Sequence, residues 1–116
     1  MERNRLAFKR TNLADQSYIS DMTTPAQDIN ESYGYLWWLN GQSSHMLPGL
    51  QLKINRSVAP NAPADMYSGL GKNGQFLSVV PSENMVVIRM GDNTDNSLVP
   101  AQFLDEMWGV LSEVIE

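Results

Sequence analysis

The stretch "GLGKNGQFLSVVPSENMVVIRMGD", residues 69–92, decides the fold. Its two apolar runs, "QFLSVVP" (75–81) and "MVVIRMGD" (85–92), are rich in β-branched residues and suit a pleated, packed surface. Pro81 and the "SEN" that follows it supply a turn between them, so the pair reads as an antiparallel hairpin. Just ahead, "MYSGLGKNGQ" (66–75) holds Gly69, Gly71 and Gly74 around Lys72. Two readings of these glycines stand side by side. They form a bulged approach to the strand, or they clear space for a reacting carbonyl. Such a carbonyl must come within about 3 Å of a backbone N–H, where a nearby Cβ would obstruct it.

Upstream, "YGYLWWLN" (33–40) is dominated by aromatics and reads as a strand buried on both sides. Residues 41–66 read as a long, polar, proline-bearing loop in which "LQLKI" can make a short strand; loops of that length in compact domains are often functional. Residues 1–22 read as helical with a break near "TNLADQ". Asn12 or Asp15 is placed to cap a short helix carrying Tyr18, Ile19 and Met22. Residues 23–32 read as loop. Residues 98–115 read as a helix, capped by Ser97 with Pro100 in its first turn. Its apolar stripe is Leu104, Met107, Leu111 and Val114, widened by Phe103 and Trp108. The expected fold is therefore α+β: a single domain, 1–116, with an antiparallel sheet of at least three strands covered by N- and C-terminal helices.

The chain has 116 residues, enough for one core. It carries 13 acidic against 8 basic residues, a net charge of −5, which argues against nucleic acid as a partner. Arg3, Arg5, Lys9 and Arg10 are half of the bases, and a solvated helix face accounts for them. There is no cysteine and a single histidine, His45, so neither a disulfide nor a metal centre is expected, and no cofactor. His45 lies in the polar loop and reads as a surface residue. No apolar run reaches the roughly 18 residues of a membrane span. "MERNRLAFKR" has no apolar core of the kind a signal peptide carries. Asn30-Glu31-Ser32 and Asn55-Arg56-Ser57 match the N-glycosylation pattern.

In order, then, come an aromatic "YGYLWWLN", a loop, a glycine-rich "GLGKNGQ", a run ending in Pro81, "MVVIRMGDN" and a terminal helix. Over about residues 15–116 this order resembles the C-terminal part of the β-lactamase-related serine hydrolases. That family includes class C β-lactamases, penicillin-binding DD-peptidases, esterases and amide hydrolases of the 6-aminohexanoate-dimer type. The resemblance implies a substrate that is a small ester, amide, β-lactam or peptide, attacked through an acyl-enzyme, and a bacterial periplasmic or secreted setting.

The family's nucleophile belongs to a Ser-x-x-Lys motif, assisted by a Tyr-x-Asn-like motif, and neither occurs here. Ser68 and Lys72 are four apart, and there is no Gly-x-Ser-x-Gly elbow. A chain matching only the family's C-terminal part is expected to be inactive alone and to associate with a missing N-terminal segment. For the family's third motif, Lys72-Asn73-Gly74 has a Lys-x-Gly look. The "G-x-x-G-Q" form matches the amide hydrolase and esterase branch better. Carried over, Gly71 permits close approach, the Lys72 N–H is the oxyanion donor, and Gly71, Lys72, Asn73, Gly74 and Asn93 border the substrate. Tyr33, Tyr35, Trp37 and Trp38 line a pocket or fill the core. Arg89 pairs with Asp92 or Asp65. The alternative is a non-catalytic module derived from that fold, binding a peptide or glycan or forming a homo-oligomer through an open sheet edge.

Overall fold

The computed structural model describes residues 7–8, 11–92 and 95–115. The elements in chain order are β1 (Ala7–Phe8), β2 (Thr11–Asn12), α1 (Gln16–Met22), β3 (Trp38–Leu39), β4 (Tyr67–Leu70), β5 (Phe76–Val80), β6 (Met85–Arg89) and α2 (Ala101–Val114). Strands β3-β4-β5-β6 form one antiparallel sheet in that order, and β1 pairs with β2 separately. The composition is α+β, as expected.

The hairpin of residues 76–89 forms as read. β5 and β6 pair without a break from Phe76↔Arg89 to Val80↔Met85. Pro81–Glu83 make the turn, and Asn84 closes it in the left-handed region at φ 51°, a conformation asparagine tolerates.

The two strand faces carry different covers. Phe76 and Val80 pack with Leu104, Trp108 and Ala101 of α2, together with Trp38, Val58, Met66 and Val99. Tyr67 and Leu39, with Val79 beside them, pack against Ile19 and Met22 of α1. Side chains alternate along a strand, so α1 and α2 lie on opposite faces of the sheet. Both helices thus pack on the sheet, but on opposite faces rather than together on one face as expected.

Four expectations are corrected. Residues 33–40 are not one strand. Tyr33 bridges to Trp38, Gly34 N–H donates to the Trp37 carbonyl at 2.9 Å, and Leu36 stands at φ 67°. The aromatic run therefore folds back on itself, leaving only Trp38–Leu39 in the sheet. Gly34 permits this: a Cβ there would lie 2.1 Å from the Met22 carbonyl oxygen.

Residues 67–70 are a strand, paired to β5 from Tyr67↔Val79 to Leu70↔Phe76. Glycine and serine lower its intrinsic preference, and pairing to β5 along its length and to β3 at Tyr67 and Ser68 overrides it. Of the segment 1–22 read as helical, Gln16–Met22 is the helix, with Asp15 at its cap position making no side-chain capping bond, Ala7–Phe8 and Thr11–Asn12 are strands, and 1–6 and 9–10 lie outside the described residues. Asn12 lies in β2. In α2, Pro100 rather than Ser97 occupies the cap position, the Ser97 N–H donates to the Asp95 carboxylate at 2.7 Å, and Val114 is exposed rather than in the stripe.

Candidate functional site

The glycine-rich stretch is the connection of the β4–β5 hairpin. Gly71 is extended at φ −93°, ψ 158°, and Lys72–Gly74 make one 3-10 turn. Asn73 at φ 69° and Gly74 at φ 79° turn the chain through the left-handed region. The turn is held from below. Nη1 of Arg89 donates to the carbonyls of Gly74 (3.0 Å), Asp92 (3.0 Å) and Asn73 (3.4 Å). The Arg89 guanidinium also lies 5.0 Å from the centre of the Phe103 ring of α2, a cation–π distance. Arg89 thus meets Asp92 through its main chain, while the Asp65 carboxylate takes the Ser82 N–H and hydroxyl at 2.7 and 2.8 Å.

The direction of the backbone groups follows from the ladder. Gly71 N–H donates to the Gln75 carbonyl at 2.8 Å, so 71 and 75 form a hydrogen-bonded pair. Such pairs alternate in an antiparallel ladder. The N–H groups of Ser68, Leu70 and Lys72 therefore face the other edge of β4. On that edge β3 reaches only as far as Trp38, opposite Ser68. Among the described residues, the Lys72 N–H meets no acceptor. Its side chain is exposed.

Beside this edge lies a groove of about 500 Å³, lined by Tyr33, Trp38, Leu47, Leu50, Leu70 and Val99 among others. The Tyr33 and Trp38 rings meet edge to face, centroids 5.0 Å apart, and make its wall. Tyr35 and Trp37 lie elsewhere: Tyr35 is half-exposed near Tyr18, and Trp37 packs edge-on to Tyr67 at 5.1 Å. Burial raises the Tyr67 phenol above its ordinary pKa. Of the residues proposed from the sequence, Gly71, Lys72, Asn73 and Gly74 are one turn. Asn93 lies outside the described residues.

The groove's far wall comes from loop 41–66, whose role in shaping it is not legible in the sequence. Two asparagines pin the loop. The Asn40 amide donates to the carbonyls of Ala59 (2.9 Å), Ala62 (3.3 Å) and Pro63 (2.9 Å), and accepts from the Ala59 N–H at 2.9 Å. Asn30 bonds both main-chain groups of Met46, at 2.9 and 3.2 Å, so its amide is engaged rather than displayed.

His45 corrects a further expectation. It is 1 % exposed, pairs with Ile54 through the main chain, and its Nδ1 lies 2.8 Å from the Arg56 carbonyl. A carbonyl only accepts, so Nδ1 carries the proton. Glu31 accepts from the hydroxyls of Ser43 and Ser44. Those bonds hold its carboxyl below the ordinary pKa.

The arrangement offers a backbone donor at an open strand edge beside an apolar groove. That combination can orient and polarise a carbonyl whose substituent sits in the groove. Among the described residues of the groove and the turn, no nucleophile stands beside a base, and the nearby Ser68 and Ser78 are buried and bond each other at 2.9 Å on the α2 side of the sheet. No cluster of three or more metal-ligating side chains occurs among the described residues, and no helix among them is long and apolar enough to cross a membrane. No family model matches the chain, and no solved structure matches it significantly.

Proposed function

We propose that this chain is the C-terminal portion of a β-lactamase-related serine hydrolase that opens an ester, amide or β-lactam through an acyl-enzyme. The observation that carries the reading is the Lys72 N–H, turned to the open edge of β4 and without an acceptor among the described residues. In this reading the donor stabilises the oxyanion of the tetrahedral intermediate. One such donor is worth about 10²–10³ in rate. The groove of Tyr33, Trp38 and Leu70 receives the acyl or leaving group, and the exposed Lys72 ammonium attracts an anionic substituent. The nucleophile and its base come from a polypeptide segment bearing Ser-x-x-Lys.

Two experiments test this. The isolated chain should not hydrolyse a chromogenic cephalosporin or a p-nitrophenyl ester above background, because a serine hydroxyl without an adjacent base is a weak nucleophile. Stoichiometric acylation of one serine, read by mass spectrometry, contradicts the assignment of the nucleophile to another segment. Sequencing the reading frame upstream of Met1 should find an in-frame Ser-x-x-Lys. A frame without one favours the alternative, a non-catalytic module that uses the same groove to bind a peptide or glycan.

A further inference from the structure

The sequence holds two Asn-Gly pairs, Asn40-Gly41 and Asn73-Gly74, and the fold treats them in opposite ways. An asparagine followed by glycine is especially open to loss of its side-chain amide, because glycine has no Cβ to hinder its own nitrogen. Whether a pair reacts in a folded chain depends on whether the side-chain Cγ and the following nitrogen are free to meet.

At the first pair they are not. Asn40 is 6 % exposed. Its Nδ2 donates to the carbonyls of Ala59, Ala62 and Pro63, and its Oδ1 accepts from the Ala59 N–H. Gly41 is packed as closely, since a Cβ there would lie 2.4 Å from the Ala64 carbonyl oxygen. At the second pair Asn73 is exposed at the β4–β5 turn, and its side chain makes no hydrogen bond among the described residues. One restraint acts there. Arg89 Nη1 donates to the Asn73 and Gly74 carbonyls, which resists rotation about ψ of Asn73, the motion that would swing the Gly74 nitrogen toward Cγ.

We infer that Asn73-Gly74 is a site of spontaneous deamidation in the folded protein, and that Asn40-Gly41 is protected from it. The Gly74 nitrogen gives up its proton to solvent base and bonds to Asn73 Cγ. The Cγ–Nδ2 bond breaks and Nδ2 takes up a proton to leave as ammonia. Water then opens the resulting succinimide. Cleavage of the bond between the ring nitrogen and Cγ leaves aspartate at position 73. Cleavage of the bond between that nitrogen and the main-chain carbonyl carbon leaves isoaspartate, with the main chain routed through Cβ and Cγ. The balance is one water consumed and one ammonia released, with no oxidant or reductant. Either product sets a carboxylate next to the Lys72 ammonium, and isoaspartate also adds a carbon to the turn that carries the Lys72 N–H. The modification itself does not depend on the hydrolase reading.

Incubation of the folded chain at mildly alkaline pH, followed by peptide mass spectrometry with isoaspartate-specific methylation, tests the inference. Amide loss is expected at Asn73, as aspartate and isoaspartate together and faster as pH rises. Asn40 should react at least about tenfold more slowly, the factor that one or two net hydrogen bonds are worth. In urea, where both pairs are free, the two rates should converge and Asn73 should react faster than in the folded chain. Arg89→Gln, shown folded by circular dichroism, should speed the reaction at Asn73 and leave Asn40 unchanged. An Asn73 that stays intact in the folded chain while it converts in urea overturns the inference. So does an Asn40 that reacts as fast as Asn73 in the folded chain.

Discussion

Gly34 and Gly69 show how differently one residue type is used. Gly34 sits against the Met22 carbonyl, and its Cβ would meet that oxygen at 2.1 Å. Gly34→Ala must push either the aromatic turn or the end of α1 away, and overpacking of this kind costs about 1–3 kcal/mol. At Gly69 an added Cβ would find nothing within 4 Å, so Gly69→Ala should leave stability within about 0.5 kcal/mol. Urea denaturation of the two variants separates them. Glu31 makes a prediction in pH. Its folded pKa is lowered by the Ser43 and Ser44 hydroxyls. The contribution is therefore complete above the unfolded carboxylate pKa and disappears as pH falls through the folded value. Acidification should release Ser43 and Ser44, seen as a loss of amide protection in 43–45 relative to the intrinsic exchange rate at each pH, and Glu31→Gln should remove that pH dependence.

Among the elements, α2 contributes Leu104, which is 0 % exposed, to the cluster with Phe76, Val80 and Trp108. Leu104→Ala should destabilise the chain by about 2–5 kcal/mol, measured by thermal or urea unfolding. An unchanged midpoint would contradict the packing of α2 on this face. How well each element can be read depends on whether its determinants are local. β5 and β6 are β-branched, bounded by Pro81 and Asn84, and their limits lie within two or three residues of the expected ones. The α2 stripe is equally plain at Leu104, Met107 and Leu111. β4 is hidden because Ser68 and Gly69 have little strand preference, and only its two neighbours make it one. The aromatic run misleads for the opposite reason. Tyr and Trp favour strands, while the residue at the turn is Leu36, a non-glycine at φ 67° that carries no local turn signal. His45 and the two loop-pinning asparagines depend on partners 11 to 23 positions away, which periodicity cannot reveal.

At the scale of the whole molecule, the sheet leaves part of one β4 edge unpaired among the described residues, beyond Ser68. The β4 edge lies beside an apolar groove and ends in a turn clamped by Arg89. The glycine spacing in 69–75 points to this edge from sequence alone, although the donor's direction needs the register of the ladder. Lys72→Pro is well suited to test that donor. Gly71 is extended at ψ 158°, the conformation favoured before proline, and the Lys72 N–H meets no acceptor among the described residues. The substitution thus removes the donor while leaving the fold's own hydrogen bonds in place. The most direct measurement is neutral-ester turnover by Lys72→Pro and Lys72→Ala in the full product of the reading frame. The expected result is near-normal turnover for Lys72→Ala, whose N–H remains, and a loss of about 10²–10³ in kcat for Lys72→Pro. Equal turnover by the two variants, with circular dichroism showing both folded, would contradict the assignment of the Lys72 N–H to the oxyanion.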